Sequence, residues 1–150
     1  MIQSLAITNQ DTVQQIWILQ QASYRVEAQL IGWDDLPPLR ESVDDLMNCQ
    51  ETFVGYTEGR ELAGAISFKL EGTTLDIHRM MVHPDHFRKG IASKLLQHVE
   101  KTQPDWQKMI VSTGALNEPA IKLYQRHGFR VVEQKAVAPG LELSFLEKLP

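Results

Sequence analysis

The chain predicts an α+β fold built on one mixed sheet. Two observations carry that reading. The hydrophobic pattern switches between strand and helix periods in the order β-α-α-β-β-β-α-β-α-β-β, which is neither a pure βαβ repeat nor an all-β pattern. The middle of the chain also holds three strand-like runs in succession, joined by a hairpin-like Gly59-Arg60-Glu61 turn and a turn at Gly72. The 150 residues suit a single domain, 1–150, with a real hydrophobic core.

The elements follow in order. Residues 2–8 alternate loosely and predict a first strand. Asn9 and Asp11 are helix-start residues, and Val13, Ile16, Trp17 and Leu19 mark an apolar helical face that continues to about Leu30. Gly32 through Pro38, with one glycine and two prolines, breaks that helix. Ser42-Val43-Asp44-Asp45 has the pattern of a capping box opening a short second helix to about Asn48. Thr52–Glu58, Leu62–Leu70 and Thr73–Val82 are strands, the last stopped by His83-Pro84 because proline donates no ladder hydrogen bond. From about Arg88, Ile91, Leu95, Leu96 and Val99 recur at helical spacing, and the helix reaches Lys101. A strand at Lys108–Thr113 ends at Gly114. Asn117 caps the next helix, with Pro119 in its permitted first turn and Gly128 closing it. Phe129–Val137 and Leu141–Glu147 form a final strand pair around Pro139-Gly140.

Composition excludes several classes. No run approaches the roughly 20 apolar residues of a membrane span. Met1-Ile2-Gln3-Ser4-Leu5 has neither the basic nor the long apolar region of a signal peptide. Cys49 is the sole cysteine, so no internal disulfide forms, which suits the cytoplasm. The net charge of −4 comes with only one adjacent cation pair, Arg88-Lys89, which is no nucleic-acid footprint and favours a cationic small substrate. His78, His83 and His86 straddle a strand end and a proline turn, without the helical spacing or nearby cysteines of a zinc site, so no metal is expected.

The chemistry concentrates where the third of these strands passes through a loop into a helix, Val82 to Leu96. The loop carries two cations and a glycine at the helix N-terminus. Free backbone N–H groups and the positive end of the helix dipole there suit an anion such as a pyrophosphate. Gly90 and Ala92 leave little side chain on the backbone, so a ligand can come close. The loop is neither a Walker A motif nor a dinucleotide G-x-G-x-x-G.

Two blocks of residues together resemble the GCN5-related N-acetyltransferase (GNAT) family. Val82 and Pro84 match its strand end V-x-P, and Gly90 and Ala92 match the small positions of the following [QR]-x-x-G-x-[GA]. Downstream, Asn117 to Phe129 matches N-x-x-A-x-x-L-Y-x-x-x-G-F at every fixed position. The blocks cover about a quarter of the chain, in order and correctly spaced. One site departs: Phe87 stands where the family has Gln or Arg, and Arg88 where glycine is common. Phe87 offers the phosphates its backbone N–H but no polar side chain, and Arg88 can replace the charge one position along.

The resemblance implies a mostly antiparallel twisted sheet, flanked by helices and splayed between its two central strands. It implies an N-acetyltransferase that moves the acetyl group of acetyl-CoA to an amine of a small molecule or peptide by direct attack in a ternary complex. No metal, nucleic acid or membrane takes part, and the protein is a monomer or homodimer. The alternative is a non-catalytic module that binds or senses CoA thioesters. The pantetheine arm lies between Met80-Met81-Val82 and Val111-Ser112-Thr113. The pyrophosphate lies on the loop of Phe87, Arg88, Lys89, Gly90, Ile91 and Ala92, with Ser93 and Asn117 also on the cofactor. A backbone N–H near Met80 or Met81 serves the oxyanion. Tyr124 matches the tyrosine that protonates the departing thiolate. For the base, Asp76 lies on the strand feeding the loop, and His78 competes because an unperturbed histidine titrates near neutrality. On an uninterrupted strand Asp76 shares a face with His78 and Met80. A site using neither, relying on positioning, stays open. The acceptor pocket comes from the first two helices and their connection, where Tyr24, Glu27, Trp33, Asp34 and Asp35 lie. A cationic acceptor can use Glu27 or an aspartate against an aromatic wall of Tyr24 or Trp33.

Overall fold

The computed structural model describes all 150 residues. Seven strands form one sheet in the order β1-β2-β3-β4-β5-β7-β6. They are β1 (Ile2–Leu5), β2 (Thr52–Glu58), β3 (Glu61–Glu71), β4 (Thr74–Val82), β5 (Lys108–Gly114), β6 (Arg130–Ala138) and β7 (Leu141–Lys148). Only β4 and β5 pair in parallel; every other neighbouring pair is antiparallel. The helices are α1 (Gln10–Ile31), α2 (Pro37–Arg40), α3 (Val43–Met47), α4 (Ile91–Thr102) and α5 (Glu118–Arg126).

The apolar stripes sort the helices onto two faces. Val13, Ile16 and Leu19 of α1, with Leu46 of α3, pack on Phe53, Ala65 and Met81. Ile91, Leu95, Leu96 and Val99 of α4, with Tyr124 of α5, pack on the opposite face against Ile66, Phe68, Leu75, Ile77, Met109 and Val111. Each such large aliphatic side chain contributes about 1.5–3 kcal/mol by leaving water, so the two cores hold the sheet between the helical layers.

Local chemistry sets most boundaries. The Asn9 side chain accepts from Thr12 N–H at 3.1 Å and opens α1, and Gly32, at φ +69°, ends it in the left-handed conformation that suits glycine. Ser42 and Asp45 complete both halves of the capping box, at 3.1 and 2.8 Å. Three boundaries differ from the sequence expectation. The first strand stops at Leu5. Pro37 and Pro38 start a turn of helix as well as ending the preceding one, since their fixed φ suits a first helical turn. The helix expected from Arg88 begins at Ile91, because Arg88 and Gly90 both take positive φ, +65° and +73°.

Two irregularities in β4 position the site. Its pairing with β5 runs from Thr74–Lys108 to Ile77–Val111 and stops, so the two central strands part above that point. Opposite β3, Ser67 pairs with Arg79 and Phe68 with Ile77, which leaves His78 as the extra residue of a bulge. The bulge resets the alternation of faces. Asp76, His78, Arg79 and Met81 belong to the α1 face, whereas Met80 packs with the α4 core, so Met80 does not share a face with Asp76 and His78.

The bulge also buries Arg79, which is 8% exposed. Its guanidinium makes a two-pronged contact with Glu51 (2.9 and 3.0 Å), another with Glu41 (2.7 and 3.1 Å), and a bond to Gln20 Oε1 at 2.8 Å. The Ser67 hydroxyl donates to Glu51 at 2.6 Å. Burial alone raises the Glu51 pKa, but hydrogen bonds from Arg79 and Ser67 outweigh it and hold the carboxyl below the usual carboxylate range. Removing one member of such a buried group strands a charge, at a cost of about 3–5 kcal/mol. Arg79→Met is therefore expected to lose stability of that order in urea unfolding; a loss near zero rules out the clamp. Because Glu51 is depressed in the folded state, its contribution is full above the unfolded pKa, roughly 4.3, and is lost as pH falls through the lower folded value. Glu51→Gln is expected to flatten that acid decline, and an unchanged slope assigns the decline elsewhere.

Candidate functional site

A cleft of about 580 Å³ runs from the loop before α4, along the parted edges of β4 and β5, to α1 and α5. At the loop end, the backbone amides of six consecutive residues, Arg88 to Ser93, have no acceptor within the protein. The two left-handed residues, Arg88 and Gly90, turn this run into a concave nest of donors at the start of α4. The Phe87 amide is not part of it, since it donates to Pro84 O at 3.3 Å, and the backbone donor expected there is spent. Its ring, 45% exposed, lies at the edge of the cleft.

The two cations of the loop divide their work. Lys89 reaches Glu58 at 2.9 Å, and His86 lies between Glu58 (2.9 Å) and Glu61 (3.0 Å), which ties the loop to the β2–β3 hairpin. The Arg88 side chain makes no ion pair with the protein and lines the cleft, so of the two it is the one available to an anion there. Ser93 Oγ sits 3.0 Å from His127 Nε2, which joins the start of α4 to the end of α5. Burial keeps the His127 pKa below its ordinary value, so that ring is neutral at pH 7.

Along the gap, His83 N–H donates back to Ala63 O at 2.8 Å, whereas Val82 N–H donates to Ser23 Oγ of α1 at 3.3 Å. The alternation of an antiparallel pair then turns the Met81 amide toward β3 and the Met80 amide into the gap. Met80 and Val82 line the cleft. Met81 does not: its side chain is fully buried on the α1 face.

Helix α1 crosses the mouth of this gap. One turn apart, Ser23 holds β4 and Glu27 holds the other side. Glu27 Oε1 accepts from Thr113 Oγ1 at 3.1 Å and from Asn117 Nδ2 at 3.0 Å. Asn117 in turn caps α5 through Ala120 N–H at 3.3 Å, so it serves as cap and brace together. Tyr24 and Tyr124 border the same space, and neither hydroxyl has a protein hydrogen-bond partner. Tyr124 is 3% exposed and meets Phe129 edge-on at 5.5 Å. Burial, reinforced by the nearby Glu27 carboxylate, pushes both phenols well above their ordinary pKa, so both are protonated at neutral pH.

The other expected residues are placed less favourably. His78 lines the cleft but lies between Glu51 (3.6 Å) and Asp76 (3.4 Å). Asp76 pairs with Lys69 on one side and Ile110 on the other, in the closed part of the sheet, and does not line the cleft. Burial raises its pKa, against the opposing effect of His78. Trp33 packs on the cluster of Ala28, Ile31 and Leu36, and Asp34 lies outside the cleft, because left-handed Gly32 turns the chain away after α1. Asp35 pairs with Arg40 at 3.1 Å. The structure adds Ser23, one turn before Glu27, and Leu123 and Arg126 on the α5 wall. The spacing of Ser23 and Glu27 on one helical face was the available signal.

No group of three His, Cys, Asp or Glu side chains converges as a metal site requires, and no helix is long and apolar enough to cross a membrane. Residues 13–129 match the model of the acetyltransferase (GNAT) family. Over all 150 of its residues the chain is 38% identical to the UPF0157 protein YqkA of Bacillus subtilis (strain 168), of which it spans 44%. It is 33% identical over 101 residues to the peptidyl-lysine N-acetyltransferase YiaC of Escherichia coli (strain K12), covering 67% of this chain and 63% of YiaC. The chain thus spans less than two thirds of either relative. Among solved structures, the PaiA N-acetyltransferase of Thermoplasma acidophilum in complex with coenzyme A superposes with a TM-score of 0.81, covering 100% of this chain and 98% of that one at 17% identity, a likeness of fold. The matched span holds α1, the parted strands, the amide nest and the Tyr124 helix together, and this chain belongs to the GNAT family of acetyltransferases.

Proposed function

We propose that this chain is an acetyl-CoA-dependent N-acetyltransferase that passes the acetyl group directly to a primary amine of a small molecule or peptide. The observation that carries the reading is the alignment, in one cleft, of the free amides Arg88 to Ser93, the inward Met80 amide and the protonated Tyr124. The donor set fits the cosubstrate. Six free amides and Arg88 suit a pyrophosphate. The unpaired inner edges of β4 and β5 suit the amides of the pantetheine arm, and a cleft of about 580 Å³ is in the range of small-molecule sites. Acetyl-CoA supplies an activated acyl group on sulfur. The chain supplies the rest: the Met80 amide takes the charge developing on the carbonyl oxygen, and Tyr124 gives its proton to the leaving sulfur. Tyr24 and Glu27 face the amine. Of the two base candidates on β4, only His78 reaches the cleft. The name of YiaC as a peptidyl-lysine N-acetyltransferase supports an amine acceptor. The working form is read as a cytoplasmic monomer or homodimer, independent of nucleic acid and membrane.

Thermal unfolding tests the cosubstrate. Acetyl-CoA or CoA at 100 times its dissociation constant is expected to add about 2.7 kcal/mol, raising the midpoint by several degrees, with no response to NAD. No shift at millimolar acetyl-CoA ends the reading, and a shift without transfer to any amine leaves a CoA-thioester-binding module. Tyr124→Phe is expected to cut turnover by about 10²-fold or more while keeping that shift. Unchanged turnover removes Tyr124 from the acid role. Arg88→Gly separates strain from charge: it relieves a positive φ worth about 1 kcal/mol, so the free protein melts no lower, yet the shift with CoA shrinks. An undiminished shift assigns the phosphate charge to another group.

A further inference from the structure

We propose that Glu27 on α1 accepts the proton of the attacking amine, so that the base of this site lies on a helix crossing the gap and not on strand β4. The proposal rests on the acetyltransferase reading above and deepens it.

Three observations lead there. Glu27 is held where donor and acceptor must meet, over the parted strands and beside Tyr124, by Thr113 of β5 and Asn117 of α5. Both of those bonds fall on Oε1, so Oε2 has no protein partner while the carboxylate is fixed in orientation. No Lys, Arg or His forms an ion pair with it. A half-buried carboxylate whose only partners are neutral donors calls for a cation from outside, and an ammonium group meets that need.

The surroundings exclude closer rivals. The titratable groups beside Glu27 are Tyr24 on its own helix and Tyr124 on α5, both protonated. Thr113 on β5 and Asn117 at the start of α5 are neutral. On β4, His78 is shared by Glu51 and Asp76, and Arg79 is engaged by Glu41 and Glu51. Asp76 lies outside the cleft.

The step balances. An ammonium bound at Glu27 loses one proton to Oε2, which passes it to solvent. The neutral nitrogen forms its bond to the carbonyl carbon, and the carbon–sulfur bond breaks. Tyr124 gives its proton to sulfur, and the second proton shed by nitrogen as it becomes an amide restores the phenol through water. The products are the acetylated amine, the free thiol of CoA and one proton.

The test uses the full chain and a fixed amine panel: spermidine, an aminoglycoside, a lysine-bearing peptide and a peptide with N-terminal alanine. Thiol release is followed from pH 6.5 to 9.5 with the most reactive amine. Glu27→Gln keeps an oxygen for Thr113 and Asn117, so the midpoint shift with CoA should persist. Its kcat/KM should fall about 10²-fold at pH 7, and the deficit should shrink to less than about 10-fold near pH 9.5, where more of an amine of pKa near 10 is already neutral. Glu27→Asp, which keeps a carboxylate, should fall less and retain the wild-type pH profile. A Glu27→Gln deficit constant with pH makes Glu27 a positioning residue only and overturns the proposal. So do wild-type rates in Glu27→Gln, above all beside an inactive Asp76→Asn or His78→Ala. A wild type that binds CoA and acetylates none of the panel removes the acetyltransferase reading and the Glu27 base with it.

Discussion

The guanidinium of Arg79 is the interaction that sets α1 against β4, and with it the residues of α1 that cross the cleft. It sits at the bulge of β4 and binds Glu51 ahead of β2, Glu41 between α2 and α3, and Gln20 on α1. Gln20 also donates to Pro38 O and to Glu41, so the same knot fixes the connection after α1. On a helix, residues three, four and seven positions on from Gln20 share its face. Those residues are Ser23, Tyr24 and Glu27, the ones that span the gap. A buried ionic group of this kind is a weak source of net stability, because desolvating its charges offsets most of their attraction. Its value here is registry. An apolar replacement of the whole knot could pack as well and still allow α1 to slide, and a slide of one turn removes Glu27 from Thr113 and Asn117.

The bulge and the parting of the strands meet at one point of β4. Below His78 the strand is paired on both sides; above it, β5 has turned away and only β3 remains. The inner edge of β4 is thereby left with backbone groups that need partners. Ser23 satisfies the Val82 amide, and the Met80 amide is left facing the cleft. The loop before α4 repeats the pattern with six free amides. Much of the site is therefore main chain, and its geometry is set by packing elsewhere, which is the preorganisation that an oxyanion or a pyrophosphate rewards.

The sequence made the scaffold legible and the bulge illegible. The capping box of Ser42, the glycine that ends α1 and the limits of β2 each follow from local chemistry, and the structure keeps them. Asp76 stays out of the cleft because it lies where β4 is still paired with β5, and Met81 turns to the α1 face because of the bulge. Strand alternation assumes no extra residue, and whether His78 is extra depends on how Ser67, Glu51 and Arg79 meet across the sheet, which no local pattern encodes. Trp33 and Asp34 lie close to Glu27 in sequence, but the left-handed turn at Gly32 sends Trp33 onto the cluster of Ala28, Ile31 and Leu36. Glu27 itself was visible as an acid on the right helix. Its hydrogen bonds to Thr113 and Asn117, 86 and 90 residues away, were not.

Arg88 shows how the departure in the loop is accommodated. A phenylalanine at position 87 removes a polar side chain, and the amide of Phe87 is turned back on Pro84 as well, so position 87 gives the nest nothing. The next residue supplies both missing items: a free amide and an unpaired guanidinium on the cleft. It does so at φ +65°, where a side chain costs about 1 kcal/mol relative to glycine. Lys89, one residue further, has an ordinary backbone but spends its charge on Glu58. A loop that needed only the turn would be better served by glycine at 88. In this loop the cation falls to 88, since 87 is a phenylalanine, 89 is paired with Glu58 and 90 is glycine. The strained arginine is thus the residue that reconciles the turn with the anion.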